Sequence, residues 1–174
     1  MIKFLSNKLT KKQETKINLE AFKINFFANS HHEWMSKAPF VKRLMSSFIE
    51  TLPENTIKFM MKNEVLFVRT NGHMSFSVQP NQHVIVVMPH LFHLLNSYAC
   101  DHGLMILAHE LGHLFFEHGK TAIDPLEAQV AADQYAIGLG YATELENFLE
   151  QMPESIEKRV RMAYVTSYLM KEDQ

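Results

Sequence analysis

The segment AHELGHLFFEHG at 108–119 constrains the fold more than any other part of this chain. Together with the apolar residues before it, this segment predicts a helix from Gly103 to His118 that neighbouring elements bury on nearly every side. His109 and His113 are four residues apart, which places both imidazoles on one face of the helix, one turn apart. Burying two imidazoles and a glutamate is costly unless each finds a partner.

A metal ion is the partner that two imidazoles at this spacing predict, because both can bind one tetrahedral ion such as zinc. Glu110 lies about 100° round the helix from His109, where a general base can take a proton from a metal-bound water. The five-residue pattern alone arises by chance in roughly 5% of chains with this many histidines and glutamates. The apolar surroundings add weight, so we predict a Zn²⁺ cofactor bound by His109 and His113, with Glu110 as the catalytic residue.

A second motif follows, QVAADQYA at 129–136, with LGY at 139–141. With HELGH at 109–113 and with His118, it resembles the gluzincin group of zincin metallopeptidases, in particular the small soluble ImmA/IrrE-like and CAAX-prenyl-protease-like domains. The resemblance covers roughly residues 100–141. It implies a zincin-like fold, zinc-dependent hydrolysis of peptide bonds, and a third zinc ligand from the second motif. It also implies that an aspartate four residues after that ligand contacts the first histidine and orients it, without binding the metal itself.

The third ligand is the point at which this chain departs from the family pattern. Gln129 occupies the position of the family's glutamate, and a neutral amide is a poorer zinc ligand than a carboxylate. Glu127, Gln129 and Asp133 are therefore the open candidates. We favour Glu127, which Pro125 could displace towards the metal, because this choice leaves Asp133 free to orient His109.

Other polar residues have less specific signals. The spacing places His118 on the helix face opposite His109 and predicts a structural role. The charged stretch 157–161 predicts a solvated helix face, although the resemblance favours Arg159 as a residue near the cleft. Tyr135 is expected to pack in the core. Single histidines are more often surface or core residues than ligands, and this applies to His73, His83, His90, His93 and His102. His31 and His32 lie in a predicted loop and are expected to be solvated.

The pattern along the chain predicts an α+β, zincin-like, mostly helical fold. A small antiparallel three-stranded sheet precedes the active-site helix and would form the rim of a cleft for an extended peptide. The chain is expected to form a single domain over 1–174, with 1–12 as a flexible arm. The strands are predicted at 64–69, 73–78 and 83–88, and the helices at 13–29, 39–52, 90–99, 103–118, 125–139, 143–151 and 153–171.

Composition limits the possible partners. Lysine and arginine total 17 against 19 aspartates and glutamates, which argues against nucleic-acid binding. The single cysteine, Cys100, excludes an internal disulfide. No apolar run of membrane-span or signal-peptide length is visible, so we expect a cytoplasmic protein whose partner is a peptide or protein substrate. The alternative is a non-catalytic zincin-fold module that binds a peptide or a partner, which Gln129 favours.

Overall fold

A computed structural model of the chain describes residues 17–70, 82–120 and 122–172, and it is mostly helical with a small sheet. The predicted arm at 1–12 and the predicted strand at 73–78 lie outside these residues. The helices are α1 (Leu19–Ala28), α2 (Glu33–Ser36), α3 (Pro39–Thr51), α4 (Glu54–Lys62), α5 (Pro89–Leu95), α6 (Cys100–Phe115), α7 (Pro125–Gly138), α8 (Ala142–Glu150) and α9 (Ile156–Glu172), and the strands are β1 (Leu66–Arg69) and β2 (Val84–Val87).

Local sequence signals set many of the helix boundaries. Pro39, Pro89 and Pro125 each open a helix, where the missing N–H of proline costs nothing. The Asp124 carboxylate caps α7 by accepting hydrogen bonds from the N–H groups of the second and third helical residues. Gly140, with a φ of 93°, ends the turn after α7, close to the predicted helix end at 139. The short helix α4 was not predicted.

The two described strands differ from the predicted sheet. They pair directly and in parallel, with Leu66 opposite Val84 and Arg69 opposite Val87, so the predicted order, with 73–78 between them, is wrong for this pair. In a meander, the first and third strands run in the same direction but are separated by the second strand. Here they are direct neighbours, because an alternating apolar pattern identifies strands but does not specify which strands pair.

Helix α6 lies at the centre of the fold, in contact with α5, α7, α8 and β2. It contributes Leu104, Leu107, Ala108 and Leu111 to the main core. A second apolar cluster forms among α6, α7, α8 and α9, from Met105, Ile137, Ala142, Leu145, Leu149 and Val165. No helix in the described residues is long and apolar enough to cross a membrane.

Gly112 allows α7 to approach α6 closely. A Cβ atom at this position would lie 2.9 Å from Cβ of Tyr135 and 3.2 Å from Cα of Ala132. Both distances are shorter than an ordinary van der Waals contact, so the two helices pack here with no room for a side chain. This contact places the first turns of α7 beside the histidines of α6.

His32 is buried, contrary to the prediction of a solvated position, with 1% of its surface exposed. Its Nδ1–H donates to the carbonyl oxygen of Phe26 at 2.7 Å, and its Nε2 accepts from the N–H of Phe67 at 3.0 Å. The neutral ring therefore joins the end of α1 to β1, with both nitrogens paired. Burial lowers the pKa of His32 below 6.5, which keeps the ring uncharged.

Replacing His32 by leucine should lower the free energy of unfolding by about 2–4 kcal/mol, because two buried backbone groups lose their partner. The exposed neighbour gives a matched control, and His31→Leu should change stability by less than about 0.5 kcal/mol. Urea denaturation measures both. Since the unfolded chain binds the proton more readily than folded His32, wild-type stability should fall as the pH drops below about 6.5. Equal stability of the two variants would contradict the role of His32.

Candidate metal centre

Three donor atoms converge between α6 and α7. The Nε2 atoms of His109 and His113 are 3.1 Å apart, and the Oε1 atom of Gln129 is 3.1 Å from Nε2 of His109. Zinc–nitrogen bonds of 2.0–2.1 Å in a tetrahedron would separate neighbouring donors by about 3.3 Å. The two separations measured from His109 Nε2 are thus close to those between neighbouring ligands of a single zinc ion.

The tautomer of His109 decides whether its Nε2 atom can bind a metal. Nδ1 of His109 lies 2.9 Å from Oδ1 of Asp133, although the ring is turned so that this contact is not a linear hydrogen bond. A carboxylate so close favours the proton on Nδ1, which leaves a lone pair on Nε2. With the proton on Nε2 instead, the 3.1 Å contact is a hydrogen bond that Nε2 donates to Gln129 Oε1.

Asp133 is held by a buried arginine. Arg161 donates from Nε to Oδ2 at 2.7 Å and from Nη2 to Oδ1 at 2.9 Å. Arg161 is 5% exposed and Asp133 is fully buried. The Nη1 atom of Arg161 also donates to Oε1 of Glu157 at 2.9 Å. The bidentate pair compensates the charge of Asp133 and fixes the oxygen that His109 contacts.

The candidates for the third ligand lie in different places. Gln129 is at the site, whereas Glu127 is exposed and lines a surface groove with Val130, Ala131, Gln134 and Val160. Two residues along a regular helix correspond to a rotation of about 200°, and α7 begins regularly at Pro125, so Glu127 faces away. The displacement that we expected at Pro125 does not occur. Asp133, the other candidate, contacts Nδ1 of His109, whereas Gln129 contacts Nε2 of the same ring.

His118 also reaches the site, contrary to the prediction that it lies on the opposite face. Helix α6 ends at Phe115, and Glu117 adopts a left-handed φ of 53° that turns the chain back. The Nδ1 atoms of His118 and His113 are then 2.8 Å apart, so one of them donates to the other. A helix wheel could not predict this contact, because it assumes that the helix continues to residue 118.

Burial is the main cause of a lowered pKa at His113, and the neighbouring His109 and His118 lower it further, to about 4. The ring is therefore neutral near neutral pH. A proton on Nδ1, shared with His118, leaves the Nε2 lone pair of His113 available to a metal.

Glu110 is exposed, unlike the two histidines beside it, so the prediction that α6 is buried nearly all round is wrong at this residue.

The other predicted residues lie away from the three donors. Tyr135 packs against Phe115 and hydrogen-bonds Thr56 Oγ1 at 2.7 Å, and Arg159 forms an exposed pair with Glu154. His90 and His93 are exposed, and His73 lies outside the described residues.

Arg161 is the site residue that sequence reasoning missed, since the stretch 157–161 was predicted to be a solvated face. A signal was available: an aspartate predicted to lie in the interior beside His109 needs a compensating charge. Nothing in the spacing identified Arg161 rather than Arg159 as its source, because that choice depends on how α9 packs against α7.

Among the described residues, no group of three or more histidine, cysteine, aspartate and glutamate side chains could hold a metal ion. The third donor here is an amide, which lies outside that set. Comparisons with protein-family models, curated proteins and solved structures found no match to this chain.

Removing the charge of Arg161 should strongly destabilise the fold, because Asp133 would remain buried and uncompensated. We expect Arg161→Met to lower the free energy of unfolding by about 3–5 kcal/mol in urea denaturation. Arg159→Met, which removes an exposed pair two residues earlier, should cost less than about 1 kcal/mol. The double variant Arg161→Met/Asp133→Leu should be more stable than Arg161→Met. The explanation would fail if Arg161→Met cost no more than Arg159→Met.

Proposed function

We propose that this chain is a zinc metallopeptidase of zincin type, acting on peptide or protein substrates. The observation that carries the proposal is that His113 Nε2 and Gln129 Oε1 each lie 3.1 Å from His109 Nε2. The HELGH pattern and the family resemblance support it. Each histidine also has a polar contact at its other nitrogen, as metal-binding imidazoles usually do.

A zinc ion bound there would polarise the substrate carbonyl and activate a water for attack. His109, His113 and Gln129 would hold the ion. Asp133, fixed by Arg161, orients the His109 ring, and His118 orients His113. Glu110 adjoins His109, and its exposed carboxylate is available to take a proton from the attacking water and to pass it to the leaving amine.

Gln129 changes the charge of the site but not its capacity to hold a cation. Neutral donors leave the full charge of the ion uncompensated, as in zinc enzymes that use three histidines. An amide nevertheless binds zinc more weakly than a carboxylate. We therefore expect a functional site whose affinity for zinc is lower than that of a site completed by glutamate.

The same residue favours a second candidate function. A weak zinc site would suit a non-catalytic module that uses the zincin fold to bind a peptide or a protein partner. The two functions differ in turnover, and in the module the metal would be structural or absent.

Changing the third ligand tests the metal site. Gln129→Glu should tighten zinc binding by tenfold or more, and Gln129→Ala should weaken it, because a carboxylate is the better donor. Glu127→Ala should leave affinity unchanged, since that side chain lies in another groove. Competition with a fluorescent chelator measures all three variants. If only Glu127→Ala weakened zinc binding, Glu127 would be the third ligand, as the sequence predicted.

Turnover distinguishes the two functions. The zinc-loaded protein should cleave members of a random-sequence peptide mixture, detected by mass spectrometry, and Glu110→Gln should reduce cleavage at least 100-fold while zinc stays bound. Glu127→Gln provides a matched control, because it removes another exposed carboxylate. If Glu110→Gln cleaved peptides at the wild-type rate, Glu110 would not be the base. If the zinc-loaded wild type cleaved none, the non-catalytic module would be favoured.

A further inference from the structure

An open groove between α1 and α3 carries two exposed cations that the proposed function does not use. Lys42 and Arg43 both line it, and neither forms an ion pair with any residue that the structure describes. The Nζ atom of Lys42 lies 5.5 Å from the centroid of the Phe27 ring. The third cation of the lining, Lys23, is already paired with two glutamates. The groove therefore has a positive charge that is not compensated at Lys42 and Arg43.

Apolar side chains line the same groove. Ile24 is 69% exposed and Phe27 is half-buried. Helix α1 is rich in apolar residues and buries Phe22 and Phe26 in the main core, so its other apolar residues remain towards solvent. The groove has a volume of about 560 Å³, which is enough for an aromatic side chain. We call this surface, lined by Ile24, Phe27, Lys42 and Arg43, the cationic groove.

The complementary combination of an exposed aromatic ring and carboxylates occurs on α8 and at the start of α6. Phe148 is 37% exposed, and Glu144 precedes it by about one helical turn. Burial raises the pKa of Tyr141 to about 12, and the charges of Asp101 and Glu144 contribute, so both carboxylates lie near that ring. Among the described residues, no cation pairs with these carboxylates or with Glu150. We call Asp101, Glu144, Phe148 and Glu150 the acidic face.

We infer that this chain associates with a second copy of itself, with the acidic face of one copy seated on the cationic groove of the other. Charge complementarity carries the choice of occupant, since both surfaces belong to this chain and their unpaired charges are opposite. Residues 1–16 fit the groove less well, because they contain five lysines and one glutamate and would repel its cations. Helices α1 and α8 pack into different apolar clusters, so the two surfaces lie on different parts of the molecule.

The contact joins two different surfaces, so it is heterologous. Each copy in a pair keeps one free groove or one free face, and association continues beyond the dimer unless a ring closes. One aromatic side chain and a few exposed charges form a small interface, for which weak affinity is typical. Because the charges are exposed, salt should weaken the association further.

Sedimentation of the full chain at increasing protein concentration tests the inference. The average mass of the wild type should rise with concentration at about 0.05 M salt and rise less at about 0.5 M salt. Arg43→Glu reverses a charge in the groove and Phe148→Gln removes the aromatic ring from the face, so each should weaken association at least about tenfold. Lys62→Glu and Phe116→Gln are matched controls, because they make similar changes at exposed residues outside both surfaces. Both controls should associate like the wild type.

Mixing the two variants tests whether these particular surfaces meet. Arg43→Glu retains the acidic face and Phe148→Gln retains the groove, so the mixture should form a dimer with one copy of each and no larger species. Thermal melts check that both variants are folded, and Glu150→Gln replaces Phe148→Gln if that variant is not.

Three results would overturn the inference: a wild type that stays monomeric, variants that associate like the wild type, or a mixture of folded variants that stays monomeric. A monomeric wild type that sediments with phosphatidylserine vesicles, and loses this binding in Arg43→Glu, would assign the groove to an anionic membrane surface instead.

Discussion

The buried pair between Arg161 and Asp133 is the interaction on which the candidate site depends. It joins α9 to α7, and Asp133 continues the contact to His109 on α6. Buried charges are costly unless they are paired and hydrogen-bonded, and this pair meets that condition with two short hydrogen bonds. Helices α6, α7 and α9 are thereby held in contact at one point.

Close packing of α6 on α7 decides which residue of α7 faces His109. Gly112 removes the side chain that would separate the helices, so that α7 lies directly against α6. With the start of α7 fixed by Asp124 and Pro125, the regular helix turns Gln129 towards His109. A carboxylate two residues earlier in the same helix cannot face the same way. That an amide rather than a carboxylate contacts His109 is thus a consequence of helix register.

Short-range signals in the sequence predicted much of the local structure. Proline and aspartate marked where helices begin, and the four-residue spacing placed His109 and His113 together, because both signals act within one or two turns. The pairing of the strands was not predicted correctly, since register and neighbours depend on the path of the chain between them. The buried position of His32 was also missed, because its two partners lie in α1 and β1.

By itself, the sequence determined that α6 presents two imidazoles on one face, and that Asp133 follows Gln129 by one turn. These facts follow from the fixed geometry of a helix. Only the tertiary structure decided that Gln129 rather than Glu127 faces His109, that Arg161 rather than Arg159 compensates Asp133, and that residue 118 turns back to His113. Each of these outcomes depends on how one element is placed against another, and helix periodicity contains no information about that placement.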